Sequence, residues 1–322
     1  MNGMFYLGID SGGTKAAFLL GDENGRIYAR YRGEGCTVLS GHKAGIKQMV
    51  AEGVAAVCKA AGITPDDIDC LGLGISCYGE GENSEVEPFE ACAEVLSPDR
   101  VICQCDTYVG WAGSLHFQPG VNVIAGTGAV AYGVNAAGET ARSSGWGAWS
   151  AGCDEGSCTW HGQRLVQEWT KQADGRRPRT AMYTMFREHF HVTCDDEHFI
   201  TTLNETVLPG RGLPELQRLL AKMYDAGDPI AAQIYEEGAE ELWCSIQAVA
   251  QKLGFTGTDY PVSYTGGLFK SGECALAPLR RRIERAGAHL VDPELPPDVG
   301  ALMMAIHHKH PERDLRDFRI TE

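Results

Sequence analysis

The same order of strands and glycine-rich turns occurs twice in this chain, and this repetition limits the possible folds more than any other feature. In the first copy, strands are predicted at residues 6–10, 16–21 and 26–32. A glycine-rich turn at residues 11–14 joins the first two strands, and a turn at residues 22–25 joins the second and third. Such short connections predict an antiparallel start to a sheet.

The second copy begins near residue 122. Strands are predicted at residues 122–125, 130–134 and 139–142, with the glycine turn Gly126-Thr127-Gly128 after the first and an Asn/Gly turn at 135–138 after the second. Few residues are identical between the copies, so the architecture is shared rather than the sequence. Two related lobes, each with a glycine hairpin, predict a ligand held between them.

Helices and further strands surround these copies. Helices are predicted at residues 44–61, 88–96, 108–115, 164–172, 213–226, 229–253, 278–286 and 298–308, and strands at 70–75, 101–105 and 262–264. This order predicts an α/β protein with mostly parallel sheets that begin with antiparallel strands. We expect an N-terminal lobe at residues 1–115, with a C-terminal helix at 298–310 packing back on it, and a C-terminal lobe at 116–297 that carries a helical insert.

Composition excludes several classes of protein. The 322 residues carry a formal charge of −15 and no long basic patch, so a nucleic acid partner is not expected. The basic run Arg280-Arg281-Arg282 is interpreted as a solvated helix face. No apolar run of about twenty residues predicts a membrane helix, and no signal peptide is recognised, so a cytoplasmic location with 12 reduced cysteines is expected.

The turn Asp10-Ser11-Gly12-Gly13-Thr14-Lys15 is the first candidate for chemistry. Consecutive backbone N–H groups in a tight glycine turn form a concave anion site, and a carboxylate at a strand end suits Mg²⁺. A plain β-hairpin turn is the alternative. The segment Gly126-Thr127-Gly128-Ala129-Val130-Ala131 matches G-x-G-x-x-A, but a strand rather than a helix is predicted to follow, which excludes a dinucleotide-binding fingerprint. No G-x-x-x-x-G-K-[ST] loop occurs.

Several motifs together resemble a known family. They are Asp10–Lys15, Asp106, Gly126–Gly128, Gly145-Trp146-Gly147, Asp154-Glu155-Gly156-Ser157 and Gly266-Gly267-Leu268-Phe269. In this order the motifs resemble the N-acetylglucosamine kinase branch of the sugar kinase/Hsp70/actin superfamily, which includes the BadF/BadG/BcrA/BcrD-type ATPases. The resemblance spans residues 5 to about 310. It implies two actin-like ATPase (ribonuclease H-like) lobes around a nucleotide cleft, ATP and Mg²⁺ as cofactors, and a small sugar as the substrate.

The resemblance also implies residue roles. Asp10, Ser11, Gly12, Gly13, Thr14 and Lys15 form the first phosphate segment, with Asp10 toward Mg²⁺. Gly126, Thr127 and Gly128 form the second, and Gly266, Gly267 and Leu268 lie along the adenosine. Asp106 is the implied catalytic base that accepts the proton of the sugar hydroxyl; its alternative role is to begin the following helix. The implied sugar contacts are Thr37, Ser76, Trp146, Asp154 and Glu155.

Some positions depart from the family pattern. An Asn expected after the third strand is replaced within Gly35-Cys36-Thr37-Val38, and an Asn expected after the second hairpin is replaced by Ala129-Val130. The loop from Gly147 to Asp154 is two residues longer than usual. The resemblance therefore supports an amino-sugar or N-acetylhexosamine kinase more firmly than N-acetylglucosamine itself.

Two alternatives stay open at this stage. One is a BadF-type ATPase that activates a radical dehydratase or reductase through an iron–sulfur cluster, for which Cys103/Cys105 and Cys153/Cys158 are the close cysteine pairs. The other is a nucleotide-dependent binding module without an acceptor. A zinc site at His189, His191, Cys194, Asp195 and His198 is disfavoured because no C-x₂-C pair accompanies it. A homodimer is compatible with the chain, since symmetric dimers are common.

Overall fold

A computed structural model describes residues 4–147, 152–207 and 212–321. Contacts divide the chain into two compact units, Met1–Asn122 with Asp292–Glu322, and Val123–Val291. The extended loop noted after Gly147 lies partly outside the described residues.

Ten strands and ten α-helices form the described part of the chain. The strands are β1 Phe5–Ser11, β2 Ala16–Asp22, β3 Ile27–Gly33, β4 Ile68–Ile75, β5 Val101–Cys105, β6 Gly120–Ala125, β7 Ala129–Val134, β8 Thr140–Ser144, β9 Pro261–Thr265 and β10 His289–Leu290. The helices are α1 Val38–Ala61, α2 Val86–Ala93, α3 Asp106–Leu115, α4 Cys158–Ala173, α5 Ala181–His189, α6 Asp196–Thr202, α7 Gly212–Asp225, α8 Pro229–Lys252, α9 Glu273–Arg285 and α10 Pro297–Lys309.

The sheet of the first unit is mixed, as predicted. Its strand order is β3-β2-β1-β4-β5, with β1–β2 and β2–β3 antiparallel and β1–β4 and β4–β5 parallel. Successive residues of β1 point to opposite faces, so Leu7 and Ile9 pack with α1 while Tyr6 packs with α10. Both faces are therefore covered, which explains why the central strands β1 and β4 are almost continuously buried.

Helix α10 approaches β1 and α3 through glycines. A Cβ at Gly8 would overlap the backbone of Leu302, and a Cβ at Gly300 would overlap the Val109 carbonyl oxygen and lie 2.6 Å from the Gly113 nitrogen. These close approaches require glycine, and they place the apolar face of α10, from Val299 to Ile306, in the core of the first unit.

The sheet of the second unit repeats this topology. Its order is β10-β9-β6-β7-β8. Counted from the β8 edge, the order is β8-β7-β6-β9-β10. Within this unit these are the third, second, first, fourth and fifth strands, which is the order found in the first unit. The α/β class and the repeated architecture predicted from the sequence are thus confirmed. Between β8 and β9 the chain forms helices α4 to α8.

Some elements differ from the prediction. Helix α1 begins at Val38 rather than residue 44, because Thr37 and Ser40 form a capping box, and the helix is kinked at His42, whose φ is 46°. Helix α4 begins at Cys158 rather than residue 164, because the Ser157 side chain caps it by accepting from the Trp160 N–H. Helices α5 and α6 and strand β10 were not predicted.

The basic run on α9 is engaged in ion pairs. Arg281 and Arg282 pair with Glu236 of α8, and Arg280 Nη1 lies 2.8 Å from Glu273 Oε2. Within the described ranges, none of the helices is both long and apolar enough to cross a membrane.

Candidate active site

The first glycine hairpin connects β1 to β2. It closes through a hydrogen bond from the Gly12 N–H to the Lys15 carbonyl oxygen, 3.1 Å. Ser11 is fully buried, and its hydroxyl donates to the Cys36 carbonyl oxygen at 2.7 Å and accepts from the Cys36 N–H at 3.2 Å. A Cβ at Gly35 would overlap the Gly12 carbonyl oxygen and the Lys15 nitrogen. The segment after β3 therefore braces the hairpin, a role that the sequence analysis missed because the contact is not local.

Asp106 lies where β5 ends and α3 begins. It is the first residue of the helix, is half-buried, and accepts a hydrogen bond from the Ser76 hydroxyl. Ser76 follows β4, and its N–H donates to the Ser11 carbonyl oxygen at 3.0 Å. Because β1, β4 and β5 are parallel neighbours, their carboxyl ends meet, and the structure brings the first hairpin, Ser76 and Asp106 together in one unit.

Asp10 is in an unusual electrostatic environment. Burial, the negative charge of Asp106 and that of Asp298 raise its pKa to about 7, and the nearby Lys15 opposes this only in part. Asp298 belongs to the first turn of α10. This third carboxylate was not identified from the sequence, although an Asp directly after Pro296-Pro297 marks the start of that helix.

Thr37, the other implied sugar contact of the first unit, is the N-cap of α1. Its hydroxyl accepts from the Ser40 N–H at 3.1 Å, and its methyl carbon lies 3.6 Å from the position a Cβ would take on Gly13. Thr37 therefore lies beside the first hairpin, with its side chain already used in capping.

The second glycine hairpin connects β6 to β7 in the other unit. The Gly126 N–H donates to the Gly128 carbonyl oxygen at 2.8 Å. Helix α4 binds the carbonyl oxygens of two hairpin residues. The Cys158 N–H donates to the Gly126 carbonyl oxygen at 2.8 Å, and the Thr159 hydroxyl donates to the Thr127 carbonyl oxygen at 2.6 Å. The strand after Gly128 confirms that this is not a dinucleotide-binding turn.

Three implied sugar contacts belong to this second unit. Asp154 is 4% exposed and lies against Gly128, while Glu155 is exposed. Trp146 is 82% exposed, the largest exposure among the large apolar side chains of the described residues. The structure thus brings Asp154 to the hairpin and leaves Trp146 open to ligand.

The segment Gly266-Gly267-Leu268 follows β9. Gly266 has φ 110°, and a Cβ there would overlap the Ala125 carbonyl oxygen, so glycine is required. A Cβ on Gly267 would lie 3.8 Å from Cys158 Sγ, and Leu268 is buried. The implied adenosine segment therefore packs beside the second hairpin and the start of α4.

The cysteine pairs considered for a cluster lie within these elements. Cys103 is buried in β5, and Cys105 Sγ is 2.8 Å from the Thr107 hydroxyl. Cys158 is buried at the start of α4, and Cys153 is half-buried. Over residues 4–147, 152–207 and 212–321, no group of three His, Cys, Asp or Glu side chains is arranged to hold a metal ion.

Two α/β units of the same strand order, each with a glycine hairpin at the end of its first strand, define an actin-like ATPase class of protein. The family model of the BadF/BadG/BcrA/BcrD ATPase family matches residues 7–305, so the chain belongs to that family. Its nucleotide is ATP.

Known proteins support the same placement. N-acetyl-D-glucosamine kinase of Dictyostelium discoideum is 25% identical over 326 residues, covering 96% of this chain and 100% of the relative. N-acetylmuramic acid/N-acetylglucosamine kinase of Clostridium acetobutylicum is 24% identical over 268 residues, covering 83% and 86%. The crystal structure named "Putative N-acetylglucosamine Kinase from Chromobacterium violaceum" superposes with a TM-score of 0.75 at 24% identity, covering 94% of this chain and 99% of that one. This last likeness shows a shared fold.

Proposed function

We propose that this chain is an ATP-dependent kinase of an amino sugar or N-acetylhexosamine. The observation that carries the proposal is the position of Asp106, which is half-buried at the end of β5, beside the first glycine hairpin, with its carboxylate oriented by Ser76. Two relatives named as amino-sugar kinases match 96% and 83% of the chain. The proposal places this reaction in the cytoplasm.

In the proposed reaction Asp106 accepts the proton of the attacking sugar hydroxyl while the hydroxyl oxygen bonds to the γ-phosphorus of ATP and ADP leaves. General-base catalysis of this kind is worth about 10²–10⁴ in rate. In each hairpin, the proposed phosphate donors are backbone N–H groups that do not close the turn: those of residues 13–15 in the first unit, and those of Thr127 and Gly128 in the second. Thr37 and Trp146 contact the sugar.

Mg²⁺ accompanies ATP in this proposal, and the residues of the first unit fit it. Burial raises the pKa of Asp10 most, and the negative charges of Asp106 and Asp298 raise it further; a cation beside Asp10 would oppose this effect of the two negative charges. Asp10 would hold the ion, mainly through water, because Mg²⁺ usually binds one or two carboxylates together with substrate phosphates. A bound Mg²⁺ would supply positive charge that reduces the negative charge of the phosphates.

The test is ATP turnover with a panel of sugars: glucosamine, N-acetylglucosamine, N-acetylmuramic acid, glucose and a no-acceptor control. We expect sugar-dependent ADP release with a phosphosugar of matching mass. ATP turnover that no sugar changes, from a brown iron-containing sample, would refute the kinase and favour the activator of a radical dehydratase.

The role of Asp106 has its own test. Asp106→Asn removes the base but keeps the shape, so turnover should fall by about 10²–10⁴ with ATP affinity nearly unchanged. The matched control is Asp66→Asn, at a side chain that is 97% exposed in the same unit. Loss of ATP binding in the Asp106 variant would mean that this residue belongs to the nucleotide site instead.

A further inference from the structure

Asp154 has an unusual position for a residue expected only to contact a sugar. It is 4% exposed and its φ is 59°, in the left-handed region where Asp is one of the few tolerated side chains. Its carbonyl oxygen accepts from the Ser157 N–H at 3.1 Å, directly before α4 begins. The backbone at Asp154 is therefore fixed to the start of a helix.

The two carboxylate oxygens of Asp154 reach two different loops. Oδ1 accepts a hydrogen bond from the Gly147 N–H at 3.1 Å. Oδ2 occupies the space beside Gly128 where any other residue would place its Cβ. One side chain thus joins the loop after β8 to the second glycine hairpin.

These two loops differ in how firmly they are held. The hairpin is bound by α4 through hydrogen bonds to the carbonyl oxygens of Gly126 and Thr127. The loop after β8 is held at Gly145, whose carbonyl oxygen accepts from Arg142 Nη2 at 2.9 Å, and at Gly147 by Asp154. Contact with Asp154 therefore transmits the position of the rigid hairpin to the loop.

Trp146 lies between the two held points of this loop. Its neighbours Gly145 and Gly147 have φ of 74° and 64°, and its indole is 82% exposed. An aromatic ring that loses little conformational freedom on contact is an effective platform for an apolar sugar face. Its value as a platform depends on how well the backbone on either side is fixed.

We infer that Asp154 is a positioning residue that fixes Trp146 relative to the Gly126–Gly128 hairpin, so that sugar contact and phosphate binding share one rigid frame. This inference rests on the proposed kinase function. Asp154 acts through Trp146, and its removal should weaken sugar binding only as far as Trp146 is responsible for that binding.

A double-mutant cycle tests this inference, with the full chain and a sugar that supports turnover. Asp154→Ala and Trp146→Ala should each raise the sugar KM about tenfold, the size of a lost aromatic contact or charged hydrogen bond. The double variant should be no worse than Trp146→Ala alone, because the two residues act in series. Multiplied effects, about a hundredfold in KM, would overturn the inference and make Asp154 an independent sugar ligand.

Two further variants complete the design. Asp154→Asn keeps an oxygen that can accept from Gly147, so it should restore most of the sugar KM and also serves if Asp154→Ala does not fold. Asp174→Ala removes an exposed carboxylate of the same unit and controls for charge loss. An Asp154→Asn variant as impaired as Asp154→Ala would count against positioning through the Gly147 hydrogen bond.

Acrylamide quenching of tryptophan emission gives a readout without turnover. The contribution of Trp146 is the difference between each protein and its Trp146→Phe counterpart. Asp154→Ala should change the quenching constant of that contribution, and an unchanged constant would overturn the inference. Failure of the kinase proposal is separate: it would appear as sugar-independent turnover of the wild type, with the quenching result unaffected.

Discussion

A buried histidine makes the stability of the second unit sensitive to acid. His161 of α4 is 1% exposed, and its Nδ1 lies 2.8 Å from the Ser157 carbonyl oxygen. Its Nε2 has no hydrogen-bond partner among the described residues and faces Gly238, where a Cβ would lie 2.6 Å away. Burial lowers the His161 pKa from 6.5 to about 4, only partly opposed by the hydrogen bond to Ser157.

The sign and size of the effect follow from this pKa. Between pH 6.5 and pH 4 the unfolded chain binds a proton at His161 that the folded chain excludes, so acid favours unfolding. The free energy of unfolding should fall by about 2 kcal/mol between pH 8 and pH 5, and by about 3 kcal/mol once the pH is below 4. The stabilisation is complete above pH 6.5 and is lost as the pH falls through this window.

The assay is urea unfolding at several pH values, followed by tryptophan emission. All tryptophans except Trp111 lie in the second unit, so emission reports mainly on that unit. His161→Leu removes the ionisable ring. The Ser157 carbonyl oxygen keeps a hydrogen-bond donor in this variant, because the backbone N–H of residue 161 also donates to it, at 2.9 Å in the wild type. The same substitution at exposed His308 is the control.

We expect the wild type to lose about 2 kcal/mol more than His161→Leu between pH 8 and pH 5. Equal pH dependence in the two proteins would refute the reasoning, because it would mean that His161 is protonated as easily in the folded state as in the unfolded chain.

The remaining predictions concern four residues that support the first hairpin, the proposed base or the protein core. Gly35→Ala should raise the KM for ATP about tenfold, because its Cβ overlaps the first hairpin, and initial rates against ATP concentration measure this. Glu168→Gln should lower the free energy of unfolding by about 3 kcal/mol in urea, since it leaves three basic side chains without their buried carboxylate. Gly300→Ala should cost about 3 kcal/mol by thermal unfolding, whereas Gly81→Ala, with open space around it, should change little. Ser76→Ala should lower kcat about tenfold with the KM for ATP unchanged, because it removes the hydroxyl that donates to the proposed base; an unchanged kcat would contradict an orienting role for Ser76.

Local turn chemistry explains which parts of the fold were predictable. Strands β1 and β2 were predicted to within a residue at each end, because Gly12-Gly13 and the turn at 22–25 leave few alternatives. Helices α5 and α6 escaped prediction because they are short and are held by an aromatic cluster around Trp169 rather than by strong local preference.

The residues of the candidate site also differ in whether the local sequence predicts them. Both glycine hairpins and the carboxylate at the end of β5 could be identified from the sequence, since each is a local motif. Gly35 against the first hairpin and Asp298 near Asp10 could not, because residues distant in the sequence make those contacts. The burial of Asp154 was not predicted for another reason. An acidic residue near the start of a helix is usually interpreted as a surface residue that interacts favourably with the helix dipole.

The packing of α10 against β1 has a consequence for synthesis of the protein. The sheet face that carries Tyr6, Leu19 and Cys70 is covered by α10, whose residues leave the ribosome about 230 residues after β4 is complete. At about 5–20 residues per second that face stays uncovered for roughly 10–50 s, while the entire second unit is made. The nascent chain therefore carries an uncovered apolar surface throughout this interval, and the first unit is finished only after the second has emerged.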